Sequence, residues 1–241
     1  MRWVIVTGDT GRLGACIVET ILKLPEYRVI GLSRGSTPWT QQMEEASAGR
    51  YIRFACDLSD PDRLETFFKS SIQPLGAVYG LVNNSAHAYD DIVTNANLEE
   101  LKTMFNVNVF SPMMLTKLCI RNMLLHRTAG SIVHITSVSA STGYKGLSMY
   151  AATKGALESF SKGVAREWGG WGIRSNCIAP GFMDTAMTAS LSGELKEKIY
   201  SRTSLKKETD PYCVAESVSF LLQDRSNSVT GTVIHADNGS L

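Results

Sequence analysis

Nowhere in its 241 residues does the chain carry a run of about 18 apolar side chains, so a membrane-spanning helix is not expected. Metal-ligand spacing is equally scarce. Cys16, Cys56, Cys119, Cys177 and Cys213 form no CxxC pair, and the four histidines are dispersed, which argues against a zinc site and for reduced thiols in a cytoplasmic protein. An excess of one charge is missing too: 24 Lys and Arg against 23 Asp and Glu leave +1, giving no reason to expect nucleic acid or a membrane surface as a partner. The stretch Met1 to Val6 is too short for a signal peptide and reads as a first strand. No repeat, low-complexity run or Pro/Ser-rich linker divides the chain, so residues 1–241 are expected to form one domain.

What is present is an alternation of short β-rich runs with amphipathic stretches. Strands are expected at Trp3–Val6, Arg28–Leu32, Tyr51–Cys56, Val78–Val82, Ser131–Thr136, Ile173–Ala179 and Thr232–Ala236. Between them, Ile17, Val18, Ile21 and Leu22 recur at helical spacing up to Pro25. Asp60 and Pro61 look like a cap and first turn of a helix running through Phe67 and Phe68. Further helices are expected at about Leu98–Leu125, Ser148–Trp168 and Pro211–Leu222. This order implies an α/β fold, a doubly wound parallel sheet of seven strands with helices on both faces. Residues 183–209 have weaker periodicity and are either a flap over a pocket or surface elaboration.

The first strand runs into Thr7-Gly-Asp-Thr-Gly-Arg-Leu-Gly14. Gly8, Gly11 and Gly14 at a strand-to-helix turn let backbone amides approach a pyrophosphate at a helix N-terminus. The end of the second strand lacks the Asp or Glu that binds ribose hydroxyls in NAD enzymes of this architecture. Ser33 and Arg34 stand there instead, a hydroxyl donor and a bidentate cation suited to a 2′-phosphate, with Arg12 as a possible second charge. NADP(H) is therefore the expected cofactor. Tyr150 and Lys154, four residues apart, share one face of a helix. A neighbouring ammonium favours the phenolate, so Lys154 is expected to lower the Tyr150 pKa towards the working range.

These residues, with Ser137 placed 13 positions before Tyr150, Asn108 in Asn-Val-Asn-Val-Phe, Asn83-Asn84-Ser85-Ala86 and Pro180-Gly181, resemble the short-chain dehydrogenase/reductase family over nearly the whole chain. The likeness departs in the glycine turn, where TGxxGxxG replaces the short-form TGxxxGxG and Arg12 takes the middle glycine's place. It implies a Rossmann-fold domain with Asn108, Ser137, Tyr150 and Lys154 as catalytic residues. Gly8, Thr10, Gly11, Arg12, Leu13, Ser33, Arg34, Asp57, Leu58, Asn84, Ser85, Ala86, Tyr150, Lys154, Pro180, Gly181, Met183 and Thr185 are then the expected cofactor-binding residues.

Within the family, Arg174 to Thr188 and Val229 to His235 look most like 3-oxoacyl-[acyl-carrier-protein] reductases of fatty acid or polyketide synthesis. That implies reduction of a 3-oxoacyl thioester, carried on acyl carrier protein or coenzyme A. A reductase of a small ketone, a sugar or a specialised metabolite is the alternative, and a catalytically silent NADP(H) sensor a third reading. The resemblance also implies a homodimer or homotetramer, with Met113, Met114, Leu118 and Phe160 as candidate subunit contacts.

Overall fold

A computed structural model of the chain describes residues 1–185 and 192–240. Its strands are β1 (Arg2–Thr7), β2 (Tyr27–Ser33), β3 (Tyr51–Ala55), β4 (Val78–Asn83), β5 (Gly130–Ile135), β6 (Ile173–Pro180) and β7 (Val233–Ala236). The helices are α1 (Arg12–Leu22), α2 (Pro38–Ala46), α3 (Leu64–Phe67), α4 (Leu98–Phe105), α5 (Ser111–His126), α6 (Ser139–Thr142), α7 (Ser148–Trp168), α8 (Gly193–Tyr200) and α9 (Pro211–Leu222). All strand pairs are parallel, in the order β3-β2-β1-β4-β5-β6-β7. The order reverses between β1 and β4, and the crevice above that point is where such sheets bind ligands.

Alternation along β1 builds both halves of the core. Trp3 and Ile5 point into one apolar layer with Ile30, Leu81, Leu115 and Ile132. Val4 and Val6 point into the other, with Ile17, Val29, Val133 and Val218. Burial on both faces explains why these strands read as unbroken apolar runs rather than polar–apolar alternations.

The expected strands are present, with ends displaced by a residue or so. Two helical expectations are corrected, and one helix is added. The stretch from Leu98 to Leu125 is two helices joined by a π-helical turn over residues 106–110. Asp60 makes no side-chain cap bond; it pairs with Arg63 at 2.9 Å over a short 3₁₀ turn instead. Helix α2 was not expected, because its body is polar; a reciprocal capping box between Thr37 and Thr40 and Pro38 in the first turn start it. Of the candidate subunit contacts, Leu118 is spent on the core, and Met114 and Phe160 pack against it. Leu98, Phe110 and Leu125 are the exposed apolar side chains of that helical region.

Candidate active site

The glycine turn is shaped by close approaches that leave no room for side chains. Gly8 has φ of +71°, and a Cβ on Gly14 would lie 2.0 Å from the Gly8 carbonyl oxygen. Gly11, the residue before α1, offers no capping side chain. The amides of Arg12, Leu13 and Gly14 therefore begin the helix without protein acceptors, as an anion site requires. From the other side of the crevice, Asn84 Nδ2 donates to the Thr7 and Gly8 carbonyls at 2.9 and 3.2 Å. The amides of Asn84 and Ser85 donate to Thr7 Oγ1, both at 2.9 Å. Leu13 is buried, while Thr10, Ser85 and Ala86 are half-buried around the same crevice. The turn thus fits a pyrophosphate.

Arg12 reaches to the segment that follows β6. Its guanidinium pairs with Glu208 at 2.8 Å and donates to the Asp184 carbonyl. The expected second charge for a 2′-phosphate is thus committed to the segment after β6, which supplies a nearer carboxylate. Arg34 is exposed, and its charge helps hold the Asp57 carboxyl below its usual range, after the larger effect of the Ser59 amide. Leu58, expected beside the adenine, is buried in the core layer, and its carbonyl accepts from Ser111 Oγ at 2.6 Å.

The sequence reading missed a buried cluster beside Ser33. Asp9, wholly buried in the glycine turn, accepts from Tyr51 Oη at 2.6 Å and from Arg53 Nε at 2.7 Å. Arg53 Nη2 donates to Ser33 Oγ at 2.6 Å and to the Gly35 carbonyl. Gly31 makes the space: a Cβ there would sit 2.0 Å from Asp9 Oδ2. An arginine in the middle of an otherwise apolar strand, and an aspartate inside a glycine turn, were the available signals.

On the other side of the switch point, side chains converge on the carboxyl end of β5. Lys154 is buried and donates from Nζ to the Ile135 carbonyl at 2.9 Å, two residues before Ser137. Ser137 Oγ accepts the Ser139 amide at 3.1 Å. The π-helical turn presents Asn108, which donates to Thr153 Oγ1 at 3.1 Å and exchanges two 2.8 Å bonds with the His87 backbone. Asn108 is thereby tied to the residue next to Lys154. Tyr150 lies one turn earlier on α7, with Lys154 Nζ 5.5 Å from its ring centroid.

The expected lowering of the Tyr150 pKa is overturned. Burial pushes the phenol well above its ordinary value, and the Asp90 carboxylate adds to the rise. The ammonium sits over the ring face and spends a hydrogen bond on Ile135, so it does not offset the lost hydration. Burial also lowers Lys154 itself, to about 8. Beneath it, His134 is held uncharged at about 3, chiefly by burial and then by the Lys154 charge.

After β6, the Pro180 carbonyl accepts the Val138 amide at 3.2 Å, and the Gly181 amide donates to Ala236 at 3.0 Å, fixing the Pro-Gly corner next to Ser137. Met183 packs against the core layer that contains Val6 and Leu13, and Thr185 is half-buried. The suggested flap includes α8, tied back by Lys196 Nζ to Asp184 at 2.7 Å; its residues 186–191 lie outside the described ones.

The family model described as enoyl-(acyl carrier protein) reductase matches residues 26–240. The 3-oxoacyl-[acyl-carrier-protein] reductase of Chlamydia trachomatis is 30% identical, over 98% of this chain and 95% of its own. Carbonyl reductase family member 4 of Xenopus tropicalis is 32% identical, over 92% of this chain and 91% of its own. Among solved structures, 4-hydroxyisoleucine dehydrogenase complexed with NADH superposes with a TM-score of 0.92 at 23% identity, covering 100% of this chain and 98% of that one. That last likeness concerns the fold, whereas the family match and the two relatives concern descent: the chain is an oxidoreductase of the short-chain dehydrogenase/reductase family.

Proposed function

We propose that the protein is an NADP(H)-dependent ketoreductase that reduces a 3-oxoacyl thioester, on acyl carrier protein or coenzyme A, to the 3-hydroxyacyl form. The observation that carries the reading is the meeting of Tyr150, Lys154, Ser137 and Asn108 at the end of β5. The 3-oxoacyl-[acyl-carrier-protein] reductase of C. trachomatis supports the substrate class. Carbonyl reductase family member 4 supports the second reading, a reductase of small carbonyl compounds.

A bound reduced dinucleotide would supply the hydride for the carbonyl carbon, and the chain's own residues manage the oxygen. Ser137 takes an amide hydrogen on its oxygen, which leaves its own proton to be donated to the substrate carbonyl. Tyr150, kept protonated by burial, is the proton donor. Lys154, near 8, exchanges protons close to neutrality and returns one towards the phenol. Asn108 fixes the α7 turn that carries both. The amides of residues 12–14 would hold the pyrophosphate, and Arg34 would favour a 2′-phosphate over a free hydroxyl. The donor role expected of Ser33 is corrected, because its hydroxyl hydrogen goes to the Gly35 carbonyl at 3.0 Å.

The test follows the loss of reduced-nicotinamide absorbance with acetoacetyl and longer 3-oxoacyl thioesters, on coenzyme A and on carrier protein, with NADPH and NADH in parallel. NADPH-linked thioester turnover that disappears in Tyr150→Phe is the expected result. Turnover confined to small ketones would move the assignment to the carbonyl-reductase reading. Turnover with NADH alone would overturn the cofactor assignment.

A further inference from the structure

We propose that Arg53, fixed by the buried carboxylate of Asp9, is a specificity-determining residue for the 2′-phosphate of the dinucleotide, with Asp9 as its positioning residue. The proposal rests on the NADP(H) reading above. It adds a residue that neither the glycine turn nor the end of β2 contains.

Position comes first. Strands β2 and β3 run in parallel register, with Gly31 opposite Arg53 and Ser33 opposite Ala55. In this architecture the ribose 2′ substituent meets the end of the second strand. From β3, Arg53 reaches that end: Nη2 lies 2.6 Å from Ser33 Oγ and also donates to the Gly35 carbonyl. The guanidinium therefore underlies the same few backbone atoms that carry Arg34.

Its donors come next. A guanidinium offers five N–H groups in a fixed plane. Nε is given to Asp9 and Nη2 to Ser33 and Gly35. Among the described residues, Nη1 donates no hydrogen bond, although the side chain is only 8% exposed. One edge of a buried, oriented cation is thus left for a ligand anion, and a planar edge suits a phosphate.

A purely structural role explains less of this. A buried ion pair is a weak source of stability, and Tyr51 already provides Asp9 with a neutral hydrogen bond. The pair does keep Arg53 from swinging out, since Asp9 is wholly buried and lies against Gly31. The two arginines then divide the work. Arg34 is exposed and supplies attraction; Arg53 is fixed and supplies geometry that a 2′-hydroxyl cannot match.

The experiment titrates adenosine 2′,5′-bisphosphate and adenosine 5′-monophosphate calorimetrically into the wild-type chain, Arg34→Gln, and the double variant Asp9→Asn/Arg53→Gln. The double change avoids leaving the Asp9 charge unpaired in the interior. Wild type is expected to favour the bisphosphate by at least about tenfold. The double variant should lose most of that preference while its affinity for the monophosphate stays within about twofold. A double variant that keeps the preference overturns the inference, as does one that loses affinity for both ligands equally, the signature of a strut. Wild type binding both ligands alike would overturn the NADP(H) reading, and the inference with it. Arg53→Lys gives an independent readout should the double variant not fold, because it keeps a partner for Asp9 but lacks the planar edge. A several-fold weaker bisphosphate affinity supports the proposal, and an unchanged one overturns it.

Discussion

On the β4–β6 side of the switch point, Lys154 carries a charge into the interior with a backbone carbonyl as its hydrogen-bond partner. On the β1–β3 side, Arg53 enters the interior against a carboxylate, a phenol-bearing neighbour and a serine. The first cation is lowered to about 8 because burial costs it more hydration than its single carbonyl bond restores. The second stays charged at every accessible pH, because guanidinium does not give up its proton and Asp9 compensates it. A lone buried amine suits proton transfer, and a compensated guanidinium suits recognition. The two sides of one crevice are built for different work.

The strongest challenge to this contrast is Tyr150→Phe. It should lower kcat by a factor of about 100 to 10,000 while denaturant stability changes little, since only a hydroxyl is lost. Next comes Lys154→Met, read as stability against pH. Lys154 has a folded-state value of about 8 against 10.5 when free, so between these values the unfolded chain binds more protons. The stability difference between wild type and Lys154→Met should therefore shift in favour of wild type by about 3 kcal/mol across that window, the buried thiols and phenols that titrate there being common to both chains. A difference that stays flat with pH would mean that the amine is compensated after all, and the contrast would collapse.

On the recognition side, Gly31→Ala drives a methyl group into the Asp9 carboxylate. It should cost about 1–3 kcal/mol by urea unfolding and weaken NADPH binding more than NADH binding. The smallest effect is expected from Arg12→Ala. The Arg12–Glu208 pair is substantially exposed, with side chains 49% and 32% accessible, so stability should fall by less than about 1 kcal/mol. A large loss of NADPH preference in Arg12→Ala would instead return Arg12 to the phosphate site.

Much of the fold was legible because the strands are buried on both faces and so appear as short β-rich runs between turn residues. Helix α2 was not, since Trp39 and Met43 alone give its polar body an apolar side, and its start depends on the Thr37–Thr40 capping box. The Tyr150–Lys154 face was legible from a four-residue spacing on one helix. The Asp9–Arg53 pair was not, because its members are 44 residues apart and meet only once β1, β2 and β3 align. The direction of the Tyr150 shift was misread for the same reason: spacing shows that an ammonium is near, but not how deeply both groups are buried.

The π-helical turn at residues 106–110 makes the site sensitive to chain length as well as composition. Such a turn accommodates one residue more than the α-helical repeat, and each residue rotates an α-helix by about 100°. Deleting a single residue between Asn106 and Phe110 would let α4 run into α5 without interruption. Even if Asn108 itself were spared, its amide would swing out of phase with Thr153 and His87. In this protein a deletion that improves the helix disarms the helix.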